Sequence, residues 1–217
     1  MNCGNLIDAT FPSLQVSDPV SKARDYVGQE HSIVLLQDQH FKGVIDTENL
    51  EHLDDSLLLE SCVDHFSFAF VNESDFFLAA LRKMSEQHLS CVPVLSLAGE
   101  YMGVITRETI VEVAAQYLNA GDPGGVIILQ MLPHQFSISE LGRIVESNNA
   151  KILHLTTWTD LSAGSLMVSM KVNKIDIQDI LASFERYQFS IYQYFGENLS
   201  EDTLKSNFDN LMNYLKM

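Results

Sequence analysis

Cys62-Val63-Asp64-His65 places a thiol and an imidazole at the C-x-x-H spacing of half a zinc site. A structural zinc needs four such ligands, and no second pair at comparable spacing supplies the rest. The two residues therefore read as a linker cysteine and an exposed histidine. Cys91 and His154 invite a nucleophile–base reading. However, Cys91 precedes Val92-Pro93, and His154 alternates with Ile152 and Thr156 along a strand, so both read as packing residues. Glu51, Asp54 and Asp55 lie at helical spacing and read as a solvated acidic face. The sequence contains no Gly-x-Ser-x-Gly elbow, Walker loop or dinucleotide fingerprint. With no catalytic constellation, the chain is expected not to be an enzyme.

The elements that would position a site are duplicated. Ile33 to Asp46 aligns without a gap on Pro93 to Thr106, an offset of 60 residues (103 − 43). Each copy reads as an apolar strand, a polar turn, a second strand ending in Gly-Val-Ile, and then a helix. Leu50, Leu53 and Leu57 mark that helix in the first copy, and Ile110, Val113 and Ala114 in the second. Neither copy can bury its apolar side alone, so the two should pack as a pseudo-symmetric pair with a cleft between them. Asp18-Pro19 predicts a helix start with proline at the first helical position. Phe68 to Val71 reads as a strand, and Ser74 or Asp75 as the cap of the helix carrying Phe77, Ala80, Leu81 and Met84.

Composition limits the partners. The 217 residues carry a net charge of −16, which repels nucleic acid and anionic membrane surfaces. A hydrophobic fraction of 46% is ample for a buried core. Three cysteines at irregular spacing do not form a disulfide framework. No signal-peptide pattern opens the chain, and the apolar run around Val126 to Leu129 is too short for a bilayer. The expected location is cytoplasmic.

Asn119 to Gly125 reads as a linker made flexible by three glycines. Beyond it the predicted order is βαββαβ: a strand over Val126–Met131, a helix behind the capping box Ser137-x-x-Glu140, and strands over Lys151–Thr159 and Ser165–Val172. A helix capped by Asp176 and a last strand over Ser190–Phe195 complete it. This is one antiparallel sheet with both helices on one face. Trp158 falls on its predicted edge, a place that suits an interface as well as a core. Leu204, Phe208, Leu211, Met212 and Leu215 mark an amphipathic helix in the tail.

The duplicated hairpin, Pro93-Val94 and the two Gly-Val-Ile ends resemble a tandem pair of CBS domains, and residues 125–196 look like an ACT-type domain. The whole is similar to CBS–ACT proteins, including those associated with acetoin utilisation. The fold class this implies is α+β, a tandem CBS repeat pair followed by a βαββαβ ferredoxin-like domain. Its expected boundaries are 1–64 and 65–120 for the repeats, 121–125 for the linker, 126–196 for the ACT-like domain and 197–217 for the tail helix.

The resemblance implies a regulatory protein binding AMP, ADP, ATP or S-adenosylmethionine between the repeats, acting as a homodimer and needing no cofactor. Its ribose-phosphate motif, Gly-h-h-Thr/Ser-x-x-Asp with h apolar, would place Thr106 and Arg107 on the phosphate and Thr109 on the ribose, with Phe70, Val71 and Pro93 completing the ligand site. Thr109 stands where the family has Asp, and its hydroxyl is a weaker acceptor than a carboxylate. In the first copy Asp46 replaces the hydroxyl and would repel a phosphate, while Asn49 is neutral. ACT domains often hold amino acids at a glycine-containing loop. Here that loop is Leu132 to Ser139, with Ser139 in the glycine position. The second reading is an interaction protein with degenerate sites.

Overall fold

The apolar runs and polar turns of the two copies build the same hairpin twice. In the computed structural model, which describes residues 1–26, 32–50 and 52–196, the chain divides into two compact units, Met1–Ala114 and Ala115–Met217. The predicted tail helix lies outside the described residues.

The first repeat comprises β1 (Ser13–Gln15), α1 (Val20–Arg24), β2 (Ser32–Gln37) and β3 (His40–Asp46), and β4 (Phe66–Ser67) extends its sheet in the order β1-β2-β3-β4. Asp38 and Gln39 at the hairpin tip both take positive φ, 48° and 68°, the pattern of a two-residue turn matched to strand twist. β2 is apolar almost throughout because both its faces are covered. Ile33 and Leu35 join Val20 and Ala23 in one core, while Val34 and Leu36 join the core of the second repeat. The second repeat comprises β5 (Val71–Asn72), α2 (Phe77–Gln87), β6 (Cys91–Leu95), β7 (Tyr101–Thr106) and α3 (Arg107–Tyr117), with sheet order β5-β6-β7.

The repeats close each other's sheets. β4, on the way into the second repeat, pairs antiparallel with β3 of the first, setting Ser67 against Val44. Asp8, on the way into the first repeat, pairs antiparallel with Val104 of the second. The same exchange recurs further along. Gly4 N donates to Glu73 O at 2.9 Å, as Glu60 N does to Val16 O at 2.8 Å. Cys3 N donates to Asp75 O at 2.8 Å, as Leu59 N does to Asp18 O at 2.9 Å. These crossings explain the glycine of each Gly-Val-Ile. A Cβ on Gly103 (φ +136°) would stand 2.5 Å from Ile7 Cγ2 and 2.6 Å from Asp8 O, and one on Gly43 would stand 3.0 Å from the Phe66 side chain.

Several local expectations change. Pro19 is the residue before α1, not its first residue. Asp75 does not cap α2. Its Oδ2 accepts from Asn72 N at 2.9 Å, closing a turn that Asp18 Oδ2 repeats with Gln15 N at 2.9 Å. The strand expected over Phe68–Val71 is split, because the chain leaves one sheet at Ser67 and enters the other at Val71. After β3 the expected helix is only a 3-10 turn, Thr47–Leu50. There the Arg24 guanidinium satisfies the carbonyls of Leu50 (2.8 Å) and Leu53 and meets Asp55. Asp54 turns back to Ser56 N at 2.8 Å, so the acidic residues at 54 and 55 sit in turns, not on a helix face; residue 51 lies outside the described residues.

The second unit follows the expected order: β8 (Val126–Met131), α4 (Ile138–Ser147), β9 (Ile152–Asp160), β10 (Ser165–Val172), α5 (Gln178–Arg186) and β11 (Ser190–Phe195). The antiparallel sheet runs β11-β8-β10-β9. Ile127, Leu129, Val168 and Met170 form one core with Leu141, Ile144, Ile180 and Phe184 of the two helices. Ser137 Oγ accepts from Glu140 N at 3.4 Å, as its capping-box position predicts. Trp158 lies on edge strand β9 and is 45% exposed. Asn119, at φ +53°, ends α3, and Gly124 passes so close to β10 that a Cβ would stand 1.9 Å from Val172 O.

Candidate functional site

The head of α3 gathers three of the six residues expected to bind ligand. Thr106 ends β7 opposite Cys91, and its Oγ1 accepts from Thr109 N at 3.2 Å, capping the helix. The Thr106 and Thr109 hydroxyls lie 3.1 Å apart, one donating to the other. Arg107 N donates to Ser90 O at 2.9 Å, and Arg107 Nη2 donates to Leu89 O at 3.0 Å. The guanidinium therefore ties α3 to the turn before β6. Ser90 N in turn donates to the buried Ser32 Oγ of the other repeat at 3.1 Å. Ser90 Oγ is buried and has no hydrogen-bond partner among the described residues.

Val71 and Pro93 are buried and paired, Val71 with Val94 and Pro93 with Val104. Phe70 is 38% exposed and stands edge-on to Phe41, with ring centroids 6.1 Å apart and Lys83 Nζ 6.0 Å from its own centroid. In the first repeat, Asp46 Oδ1 accepts from Glu48 N at 3.0 Å and heads the 3-10 turn, while Asn49 is exposed. The pseudo-symmetry of the backbone thus does not extend to the chemistry at the two strand ends.

In the second unit, the chain after β8 borders a cavity of about 650 Å³ lined by Gln130, His134, Gln135, Ser137, Glu140 and Tyr187. Three of its polar side chains are committed. Gln135 Oε1 accepts from Leu132 N at 2.9 Å, Ser137 Oγ caps α4, and Gln130 Nε2 donates to Ser165 Oγ at 2.9 Å. Ser139 lies inside the first turn of α4 and does not line this cavity.

All three cysteines are buried, including Cys62, which belongs to the core of the first repeat and is not a linker residue. Burial, with Asp75 nearby, pushes Cys3 up to about 11, and burial also raises Cys62. Such thiols are inert as nucleophiles. No group of three His, Cys, Asp or Glu side chains among the described residues could hold a metal ion. Likewise, no helix among them is long and apolar enough to cross a membrane.

The sequence alone did not reveal the crossed closure or the tie from Ser32 through Ser90 to Arg107. A signal for the crossing was present. Ser17-Asp18 recurs as Ser74-Asp75, so the repeat extends upstream of the hairpin at a slightly different offset.

Residues 63–116 match the family model of the CBS domain. They span the second repeat, whose backbone bonds the first repeat reproduces. Among solved structures, the chain is similar to a CBS domain pair/ACT domain protein from Thermotoga maritima, with 23% identity over 54% of this chain and 99% of that one, and a TM-score of 0.48. It is similar to the cytosolic domain of the Mg2+ channel MgtE in complex with ATP (15% identity, 52% of this chain and 48% of that one, TM-score 0.45). A third similar structure is CBSX2 in complex with AMP (19% identity, 53% and 96% covered, TM-score 0.45). No curated protein matches the chain. The CBS model thus covers the second repeat of the first unit, and the second unit has the βαββαβ order of a ferredoxin-like domain.

Proposed function

We propose that the protein is a regulatory sensor, not a catalyst, and that it takes an adenosine-containing ligand at the head of α3 in the second CBS repeat. The observation that carries this is the cluster at that head. Thr106 and Thr109 present a hydroxyl pair there, and Ser90, tied to it through Arg107, holds a buried hydroxyl without a partner among the described residues. An unsatisfied buried hydroxyl is costly, and a ligand oxygen could pair with it. Thr106 and the first turn of α3 supply donors for a phosphate, and Thr109 replaces the family's carboxylate toward a ribose. Only this repeat is proposed to bind, since Asp46 sets a negative charge at the equivalent place in the first.

The ligand would act by differential affinity, favouring one arrangement of the pair over another. Calorimetric titration with AMP, ADP, ATP and S-adenosylmethionine tests this. Binding that Thr106→Ala weakens supports it, and absence of heat with all four at millimolar concentration sinks it.

A second reading, an interaction protein with spent ligand sites, is favoured by one observation: the Thr106 hydroxyl and the Arg107 guanidinium already have intramolecular partners. For that role Trp158 and Phe195, 45% and 54% exposed on β9 and β11, offer apolar surface for a homodimer. Light scattering that finds a dimer indifferent to nucleotide would select it.

A further inference from the structure

We propose that the open face of the second unit's sheet is a docking surface for the chain's own tail, residues 197–217. Ile127, Leu129, Val168 and Met170 turn toward α4 and α5, so their neighbours along the strands turn the other way. Opposed pairs carry that second face across the sheet. Val126 lies against Phe195, Ile128 against Gln193, and Met167 against Trp158. Val126 and Ile128 are half-buried, while Phe195 and Trp158 are exposed at opposite edges. Tyr117 and Asn119 of the same unit meet this face at one corner, through His154 and Lys171.

The path of the chain and its sequence select the occupant. Phe195 closes β11 on this face, and the tail continues almost directly from it. Wound as a helix, the tail gathers Leu204, Phe208, Leu211, Met212 and Leu215 into a stripe about 100° wide, with Asp209, Asn210 and Asn213 opposite. From Leu204 to Leu215 such a helix is about 18 Å long, close to the length of about 20 Å that β8 spans. It is about 10 Å across, and the two edge strands are about 14 Å apart, so one helix covers most of the face. Residues 197–203 reach about 23 Å when extended, enough to set the helix down at either end of the strands.

A helix this short is marginal alone in water, and its stripe needs an apolar surface to stay wound. The tether holds the tail beside the face at an effective concentration in the millimolar range, far above that of a second copy in a micromolar solution. The tail therefore takes the surface that the homodimer of the second reading would use. This docking is independent of the nucleotide reading.

Trp158 is the only tryptophan of the chain, so its fluorescence reads the face directly. Phe208→Glu and Leu211→Glu, each made in the full chain, should roughly double acrylamide quenching of Trp158 and shift its emission to the red. Asn210→Glu, which adds the same charge on the polar side of the helix, should change neither. Wild-type quenching should also stay constant on hundredfold dilution. Quenching that neither Phe208→Glu nor Leu211→Glu raises overturns the proposal, and so does an equal rise in Asn210→Glu. Protection that dilution removes overturns it as well, because a second copy then covers the face.

Discussion

Asp8 and Val104 exchange both backbone hydrogen bonds, at 2.7 Å and 3.1 Å, although they stand near opposite ends of the repeat pair in sequence. Their pairing puts the first residues of the chain on the outer strand of the second CBS repeat. Ser67 and Val44 make the mirrored contact in the first.

Gly103→Ala should destabilise the pair by about 2–4 kcal/mol, because the added Cβ meets Ile7 and the carbonyl of Asp8 and because φ is positive there. Gly43→Ala meets only the Phe66 side chain at 3.0 Å and should cost about 1 kcal/mol. Urea denaturation of the two variants gives the comparison, and equal losses would contradict the account.

Deleting residues 1–8 should loosen the second repeat more than the first, though it removes residues ahead of the first. Cys3, Leu6 and Ile7 pack in the core that contains Val92, Val94 and Val104. Proteolysis mapped by mass spectrometry should find the earliest new cuts between residues 71 and 114.

The hairpins, both Gly-Val-Ile ends and the βαββαβ order were legible in the sequence because strand alternation and turn residues are local signals. The 3-10 turn that replaces the helix expected after β3 was not legible. Leu50, Leu53 and Leu57 have helical spacing, but Arg24, distant in sequence, satisfies the carbonyls that a helix would have used. The candidate site was half legible. Motif spacing placed Thr106, Arg107 and Thr109 together, whereas the engagement of the Arg107 guanidinium with Leu89 depends on the turn before β6. The close approach of Gly124 to Val172 was likewise hidden, since glycine that permits close packing and glycine that permits flexibility look identical in a sequence.

Stability should fall at alkaline pH through Cys3. Its folded-state pKa of about 11 lies above the ordinary 9.0, so the protonated thiol's contribution is complete below about pH 9 and lost as pH rises toward 11. The loss should reach about 2–3 kcal/mol. Denaturation midpoints of wild type and Cys3→Ala between pH 8 and 11 should converge as pH rises. A constant gap would exclude this origin.

Ser137→Ala removes the cap of α4 and should cost the second unit about 1 kcal/mol, leaving the first unit unaffected. Trp158, the only tryptophan and a residue of β9, reports the second unit selectively by fluorescence, so an unshifted Trp158 transition would contradict the assignment.

The crossed closure also sets an order of events for a chain leaving the ribosome. The stretch around Asp8 emerges earlier but has no strand to pair with until Tyr101–Thr106 has followed it. The first repeat can complete its sheet as soon as Ser67 is out, whereas the second needs the segment around Asp8 to return. Such long-separation contacts slow folding, so a lag between the two repeats is built into their shared architecture. The stretch that matches the CBS model, residues 63–116, therefore lacks the segment around Asp8 that pairs with its outer strand.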